Sequence, residues 1–173
     1  MALPGSGIIY MSQVNSELGR AATQTLWLAD GELRNTIADV GSGGLSMANC
    51  RGKTYHIRQT GVIPSQWSPQ VNFQGGWAFR GAQPSYMTVT TNSNPDSGEV
   101  YGWWFDIYFN GNPNYAGHMS IYNEANGVGV GFDRAAGNHW QGYVGNGGSG
   151  QPPALIPAPY NAGWGWSYIM YAG

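Results

Sequence analysis

The chain has 173 residues, of which 9% are charged and 14% are aromatic, with 28 glycines and a formal net charge of −2. This length fits a single domain, and so many aromatic residues supply core material, which excludes a disordered chain. Lys53 is the only lysine and the arginines form no basic cluster, which excludes the electrostatic footprint of a nucleic-acid-binding protein.

Cys50 is the only cysteine, so an intramolecular disulfide is excluded and a cysteine-based metal site is not expected. Residues 1–7 lack a charged n-region and a long apolar h-region, so we predict neither a signal peptide nor a membrane span. The low charge is compatible with two kinds of surface. One is covered by partner subunits, and the other is coated with Gly, Asn and Ser.

Residues 1–53 are predicted to form two or three helices of one or two turns. Ser12, Asp30 and Ser46 are placed to cap these helices at their N-termini. Helices this short are marginal in water, and their few apolar residues cannot form a separate core. The segment must therefore dock on the rest of the chain, on a second copy of itself, or on another protein.

The pattern changes to strands and turns from residue 55 onward, and residues 98–111 carry its strongest signal. Trp103, Phe105, Ile107 and Phe109 recur at a period of two, which predicts a strand with one apolar face. Burying that face is worth on the order of 10 kcal/mol before conformational entropy is subtracted. We therefore predict a central core strand that ends at the Asn-Gly turn signal closing this stretch.

About eight short strands separated by turn signals predict a mainly β fold. We predict an antiparallel β-sandwich of the jelly-roll type, preceded by a short, partly helical N-terminal segment. Glycines at 129 and 131 leave one strand face bare, which indicates close approach of another chain segment. The predicted strands are residues 55–59, 71–73, 77–80, 86–91, 98–111, 118–123, 128–132, 140–144 and 163–171.

The N-terminal segment contains four short sequence pieces that occur one after another. They read LPGSG at residues 3–7, SQVNSELG at 12–19, LR at 33–34 and GLSMANCRGK at 44–53. This order resembles a module of tailed-bacteriophage structural proteins, found in fibre, collar and tail-associated virion proteins. That module reads Leu-Pro-x-Ser-Gly, Ser-Gln-Val-Asn-x-Glu-Leu-Gly, Leu-Arg and Gly-x-Ile-Ser-Met-x-x-x-Arg-Gly-Lys. Cys50 stands where it usually has leucine.

The resemblance implies a structural component of a tailed-phage virion, made in the host cytoplasm and assembled as a homo-oligomer with other virion structural proteins. The resemblance divides the chain into an attachment segment, residues 1–53, and a β domain, residues 54–173. No cofactor, nucleic acid or membrane partner is expected. The alternative is that the segment packs on its own β domain. The predicted assembly interface comprises Val14, Leu18, Leu33, Arg34, Ile37, Met47 and Arg51.

Residues typical of catalysis do not form a recognisable constellation in the sequence. Asp106 and Glu99 are seven positions apart, so a continuous strand places them on opposite faces rather than as the facing carboxylates of a glycosidase. We interpret Asp106 as an outward-facing or hydrogen-bonded structural residue. His56, His118 and His139 lack metal-ligand spacing. No catalytic or metal site is predicted, and the chain is not expected to be an enzyme.

Aromatic residues near predicted loops and strand edges support a second hypothesis. Trp67, Trp77, Trp140 and Tyr143 could stack on a sugar, or they could pack in the core or in a subunit interface. The leading hypothesis is a virion structural subunit. A module that binds a host receptor or surface glycan is the second, and a tail-associated hydrolase is the third.

Overall fold

The computed structural model describes residues 2–40, 43–66, 68–146, 153–156 and 161–173. Two short helices and a 3-10 turn precede the strands. The helices are α1 (Met11–Glu17) and α2 (Gly31–Thr36), and the 3-10 turn is Met47–Cys50. The strands are β1 (His56–Val62), β2 (Gln70–Gln74), β3 (Pro84–Ser93), β4 (Val100–Phe109), β5 (Met119–Asn123), β6 (Gly129–Ala136), β7 (His139–Gly145) and β8 (Gly165–Ala172).

The strands form one closed antiparallel barrel in the order β1-β2-β3-β4-β7-β6-β5-β8. β8 pairs back onto β1, with Ile57 opposite Met170 and Val62 opposite Gly165. The prediction of a jelly-roll β-sandwich is therefore wrong. Alternation of apolar and polar residues is the same in a sandwich strand and a barrel strand. The pairing of the first strand with the last decides between them, and no local pattern encodes that pairing.

One glycine lets the closing strands approach closely. A Cβ on Gly61 in β1 would lie 2.3 Å from Val71 Cγ1 and 2.6 Å from Tyr168 Cε2. Those two side chains fill the space that a larger residue would need. The predicted close approach at the bare glycine face is also confirmed, because the Tyr122 ring lies over Gly129.

The predicted central strand is confirmed as β4, which lies between β3 and β7. Trp103, Phe105, Ile107 and Phe109 all point into the barrel and are buried. Other strands contribute the remaining core. Fully buried side chains there include Ile57, Val71, Met87, Met119, Ile121, Phe132, Trp140, Tyr168 and Met170.

The helical caps follow the sequence prediction in part. Asp30 caps α2, because its Oδ1 accepts hydrogen bonds from the backbone N–H groups of Glu32 (2.9 Å) and Leu33 (3.2 Å). The first helix begins earlier than predicted, after Tyr10 rather than Ser12. The strand predicted at residues 77–80 is not formed, since only an isolated bridge joins Phe79 to Ala82.

The N-terminal segment lies against the end of the barrel at which β1 begins. The Tyr55 N–H donates to Glu17 Oε1 at 2.8 Å, and Asn114 Nδ2 donates to the Gly19 carbonyl at 3.1 Å. Within the segment, the Leu3 N–H donates to the Lys53 carbonyl at 2.8 Å, two residues before Tyr55. Apolar residues of the segment and of the barrel form one continuous hydrophobic cluster. The segment thus covers one end of the barrel.

Candidate functional site

The apolar anchors of the predicted assembly interface are buried by the chain itself. Val14, Leu33 and Ile37 have no exposed surface, and Leu18 has almost none. All four belong to the cluster shared with the barrel, so their side chains are already occupied in this conformation. The other members of the predicted interface remain accessible to different degrees: Arg34 and Met47 are half-buried, and Arg51 is exposed.

The same segment leaves other apolar side chains exposed. Ile8 and Trp27 are 73% and 71% exposed, the highest values for large hydrophobic residues in the described part of the chain. Tyr10, Met11 and Leu28 are also exposed. The sequence analysis missed these residues because its predicted interface contains only residues of the predicted helices. The available signal was the presence of large apolar residues outside those helices.

Ion pairs join residues within the segment and connect the segment to β1. Arg20 Nη1 lies 2.7 Å from Asp30 Oδ2, and Arg20 Nη2 lies 2.6 Å from Glu32 Oε2. The hydrogen bond from Arg20 holds the pKa of Asp30 below its usual value. Arg58 on β1 binds Asp39 at 2.7 Å, and this contact likewise lowers the pKa of Asp39.

A buried tyrosine and arginine lie beneath the segment. Tyr55 donates its hydroxyl proton to the Ala78 carbonyl at 2.8 Å and accepts from the Arg80 N–H at 3.0 Å. Burial raises the pKa of Tyr55 to about 12. The Arg80 guanidinium lies 4.1 Å from the centre of the Tyr55 ring. It shares a cavity of about 560 Å³ with the buried carboxylate of Glu17.

A second surface lies on the outward side of β3, β4 and β7, where aromatic side chains align across the strands. Tyr86, Tyr108 and His139 are paired in register, and their rings stack with centroid distances of 4.8 and 4.4 Å. Further along the same strands, Trp104 lies opposite Tyr143 with a centroid distance of 4.7 Å. Trp104 and Tyr143 are 37% and 44% exposed.

A polar row separates the two aromatic groups. Asp106 Oδ1 accepts hydrogen bonds from His139 Nε2 at 2.7 Å and from Gln141 Nε2 at 2.9 Å. The interpretation of Asp106 as a hydrogen-bonded residue is thus confirmed. Glu99 is exposed in the turn before β4, so it does not face Asp106 across a cleft.

The aromatic residues singled out from the sequence have different surroundings. Trp140 is fully buried, and its Nε1 donates to the Gly117 carbonyl at 3.2 Å. Trp77 is partly exposed, and its ring lies 3.0 Å from where a Cβ on Gly31 would be. Trp67 lies outside the described residues. Of the three described residues, only Tyr143 lies on the outward side of β3, β4 and β7 with Trp104.

Ionisable groups of the described residues do not assemble into a metal site, since no cluster of three or more His, Cys, Asp or Glu side chains is suitably placed there. His118 Nδ1 instead lies 2.9 Å from Asp133 Oδ1. Cys50 is buried, and burial raises the pKa of its thiol. Within the described ranges, each helix is too short or too polar to cross a membrane.

Comparisons with known proteins found no matching family model, no similar curated protein and no similar solved structure. The resemblance to the phage module therefore depends on the quoted residues of the N-terminal segment.

Proposed function

We propose that this chain is a structural, non-enzymatic subunit of a tailed-bacteriophage virion, attached to neighbouring virion proteins through its N-terminal segment. The observation that carries this proposal is the exposure of Ile8 and Trp27 on that segment. The order of the four sequence pieces in the same segment supports the assignment to a phage particle.

Exposed side chains of this size favour a partner that covers them. Burying apolar surface is worth about 25 cal/mol per Å², and a tryptophan offers roughly 150–250 Å². Covering Trp27 and Ile8 would therefore supply several kcal/mol to an interface, on the order of what one anchor residue contributes.

The segment then has two groups of residues with separate roles. Leu33 and Ile37 hold it against the barrel, whereas Ile8 and Trp27 point away from the chain's own core. Arg51 is exposed and is placed to pair with a carboxylate on a neighbour. The attachment role predicted from the sequence is kept, but the contact residues are the exposed ones rather than the buried anchors.

Substitution of surface residues tests the proposal better than truncation. Removal of residues 1–53 would expose the barrel core around Tyr55, so failure of a truncated chain would not distinguish attachment from folding. The informative variant is Ile8→Ser combined with Trp27→Ser. Trp164→Ser is the matched control, because Trp164 is also exposed but lies next to β8.

Each chain is expressed with a tag in cells in which the tailed-phage virions assemble. The virions are then purified on a density gradient. We expect the unchanged chain and the Trp164→Ser control to sediment with particles. The double variant should remain in the soluble fraction with an unchanged circular dichroism spectrum. Equal incorporation of the double variant, or absence of the unchanged chain from particles, would overturn the proposal.

A further inference from the structure

The outward aromatic surface comprises Tyr86, Trp104, Tyr108, His139 and Tyr143. Unlike a patch that docks another protein, it is interrupted by polar residues. Trp104 and Tyr143 form one exposed pair, and the stacked rings of Tyr86, Tyr108 and His139 form a second group. The polar row that contains Asp106 lies between them, so the aromatic faces are not one continuous apolar area. Trp104 and Tyr108 are four residues apart on β4, so at a strand rise of about 3.3 Å per residue the two groups lie roughly 13 Å apart.

A depression of about 410 Å³ lies beside the exposed pair. Gly131 lines it, and the His118 ring packs against this glycine, because a Cβ there would lie 2.7 Å from His118 Cε1 and Nε2. Asp133 and Gln141 line it with polar atoms. Within the described residues, Gln141 Oε1 and Asp133 Oδ2 make no hydrogen bond, so two acceptors are available to a ligand that brings hydroxyl donors.

The charge of this surface disfavours an anionic ligand. Asp106 and Asp133 are acidic. Arg134 lines the depression, but its Nε and Nη2 donate to the carbonyls of Ala136 (3.1 Å) and Gly137 (3.0 Å). His118 contacts Asp133. A phosphate, a nucleic acid or an acidic sugar would meet carboxylates without a free guanidinium fork to bind it.

We propose that the outward face of β3, β4, β6 and β7 binds a neutral oligosaccharide. The C–H face of one sugar ring stacks on Trp104 and Tyr143, because aromatic side chains offer a large, rigid apolar face. Its hydroxyl groups donate to Gln141 Oε1 and to Asp133 Oδ2. The 13 Å between the aromatic groups favours an oligosaccharide over a monosaccharide. This site goes beyond the proposed attachment role.

The test uses the purified full chain and isothermal titration calorimetry. The probes are the neutral trisaccharides maltotriose, cellotriose and triacetylchitotriose, with trigalacturonic acid as the acidic comparison. We expect at least one neutral probe to bind with a Kd of about 1 mM or tighter, and to bind more tightly than the acidic one. Trp104→Ala and Tyr143→Ala should each weaken binding about tenfold.

Two further variants separate ring stacking from folding. Trp164→Ala removes another exposed tryptophan and should leave the Kd unchanged. Tyr143→Phe keeps the ring but removes the hydroxyl that donates to the Tyr101 carbonyl, so it should bind like the unchanged chain. Should Trp104→Ala fail to fold, the contrast between Tyr143→Phe and Tyr143→Ala decides the question.

Several outcomes would overturn the proposal. These are no binding of any neutral probe at about 10 mM, tighter binding of trigalacturonic acid, or an undiminished affinity in both alanine variants. A fourth is a fall in the sedimentation mass of Trp104→Ala, which would show that a second copy covers this face. Because Ile8 and Trp27 take no part in this site, its failure would leave the attachment proposal untouched.

Discussion

The barrel and the N-terminal segment are stabilised in different ways. In the barrel, every strand pairs with a neighbour on both sides, so the backbone ladder and the enclosed core reinforce each other. The segment has helices of only 7 and 6 residues, which are too short to persist alone. Its order depends on anchors packed on the barrel and on the Arg20 ion pairs. We therefore expect the segment to open locally before the barrel unfolds, whereas the reverse order is not expected.

The largest expected effect comes from removing a central core side chain. Phe105 on β4 is fully buried, so Phe105→Ala should lower the free energy of unfolding by about 3–5 kcal/mol through lost burial and the cavity left behind. Both regions should lose structure together in urea titrations followed by circular dichroism. The neighbouring outward Trp104→Ala is the control, and a comparable loss in that variant would contradict the assignment of the two faces.

A buried anchor of the segment should give a smaller and more local effect. Leu33→Ala removes a fully buried side chain and should cost about 2–3 kcal/mol, at the lower end for such substitutions. Because the segment depends on the barrel, amide hydrogen exchange in α1 and α2 should accelerate while β3, β4 and β7 stay protected. Parallel acceleration in those strands would show that the two regions form one cooperative unit.

The sequence predicts the features of the fold that neighbouring residues determine, and it fails for features that depend on residues far apart in the chain. β4 was predictable because Trp103, Phe105 and Ile107 repeat at a period of two, and the α2 cap was predictable because Asp30 precedes a short apolar pattern. Closure of the barrel was not, because it requires β1 to meet β8 from the far end of the β region.

For the same reason, the sequence predicts the candidate surfaces only in part. Leu33 and Ile37 are four residues apart and share one helix face, which predicts that both are buried. This spacing cannot say whether a partner or the chain's own barrel buries them. Trp104 could have been assigned to the outward face from the alternation that predicted β4. Its pairing with Tyr143 required the register of β4 against β7.

The Tyr55 hydroxyl links the start of the barrel to the turn at residues 78–80, which lies beneath the segment. Tyr55→Phe leaves the Arg80 N–H and the Ala78 carbonyl without their partner, which should cost about 1–3 kcal/mol. Thermal unfolding of the two proteins at neutral pH measures this. A cost near zero would mean that neither group depends on the hydroxyl.

The same tyrosine predicts an alkaline effect with a definite sign. Its pKa is raised to about 12, above the value of about 10 for an unfolded tyrosine. Its contribution is therefore complete below pH 10 and is lost as the pH rises towards 12. Tyr55→Phe should show a shallower fall in thermal midpoint across that range. An identical slope in the two proteins would contradict the raised pKa.

The smallest expected effect concerns the ion pairs of the segment. The Arg20 hydrogen bond lowers the pKa of Asp30, so its contribution is present above about pH 4 and is lost as the pH falls further. Because both side chains are partly exposed, the loss should be about 1 kcal/mol or less. Asp30→Asn should flatten the fall of the thermal midpoint in acid, and an unchanged fall in that variant would contradict the lowered pKa.

An image reconstruction of the particle at side-chain resolution tests most directly whether the segment joins the barrel to a neighbour. We expect Leu33 and Ile37 to lie against the chain's own barrel, and Ile8 and Trp27 to lie against a different polypeptide. A reconstruction in which Ile8 and Trp27 face solvent while other surfaces hold the chain in place would contradict the proposed attachment.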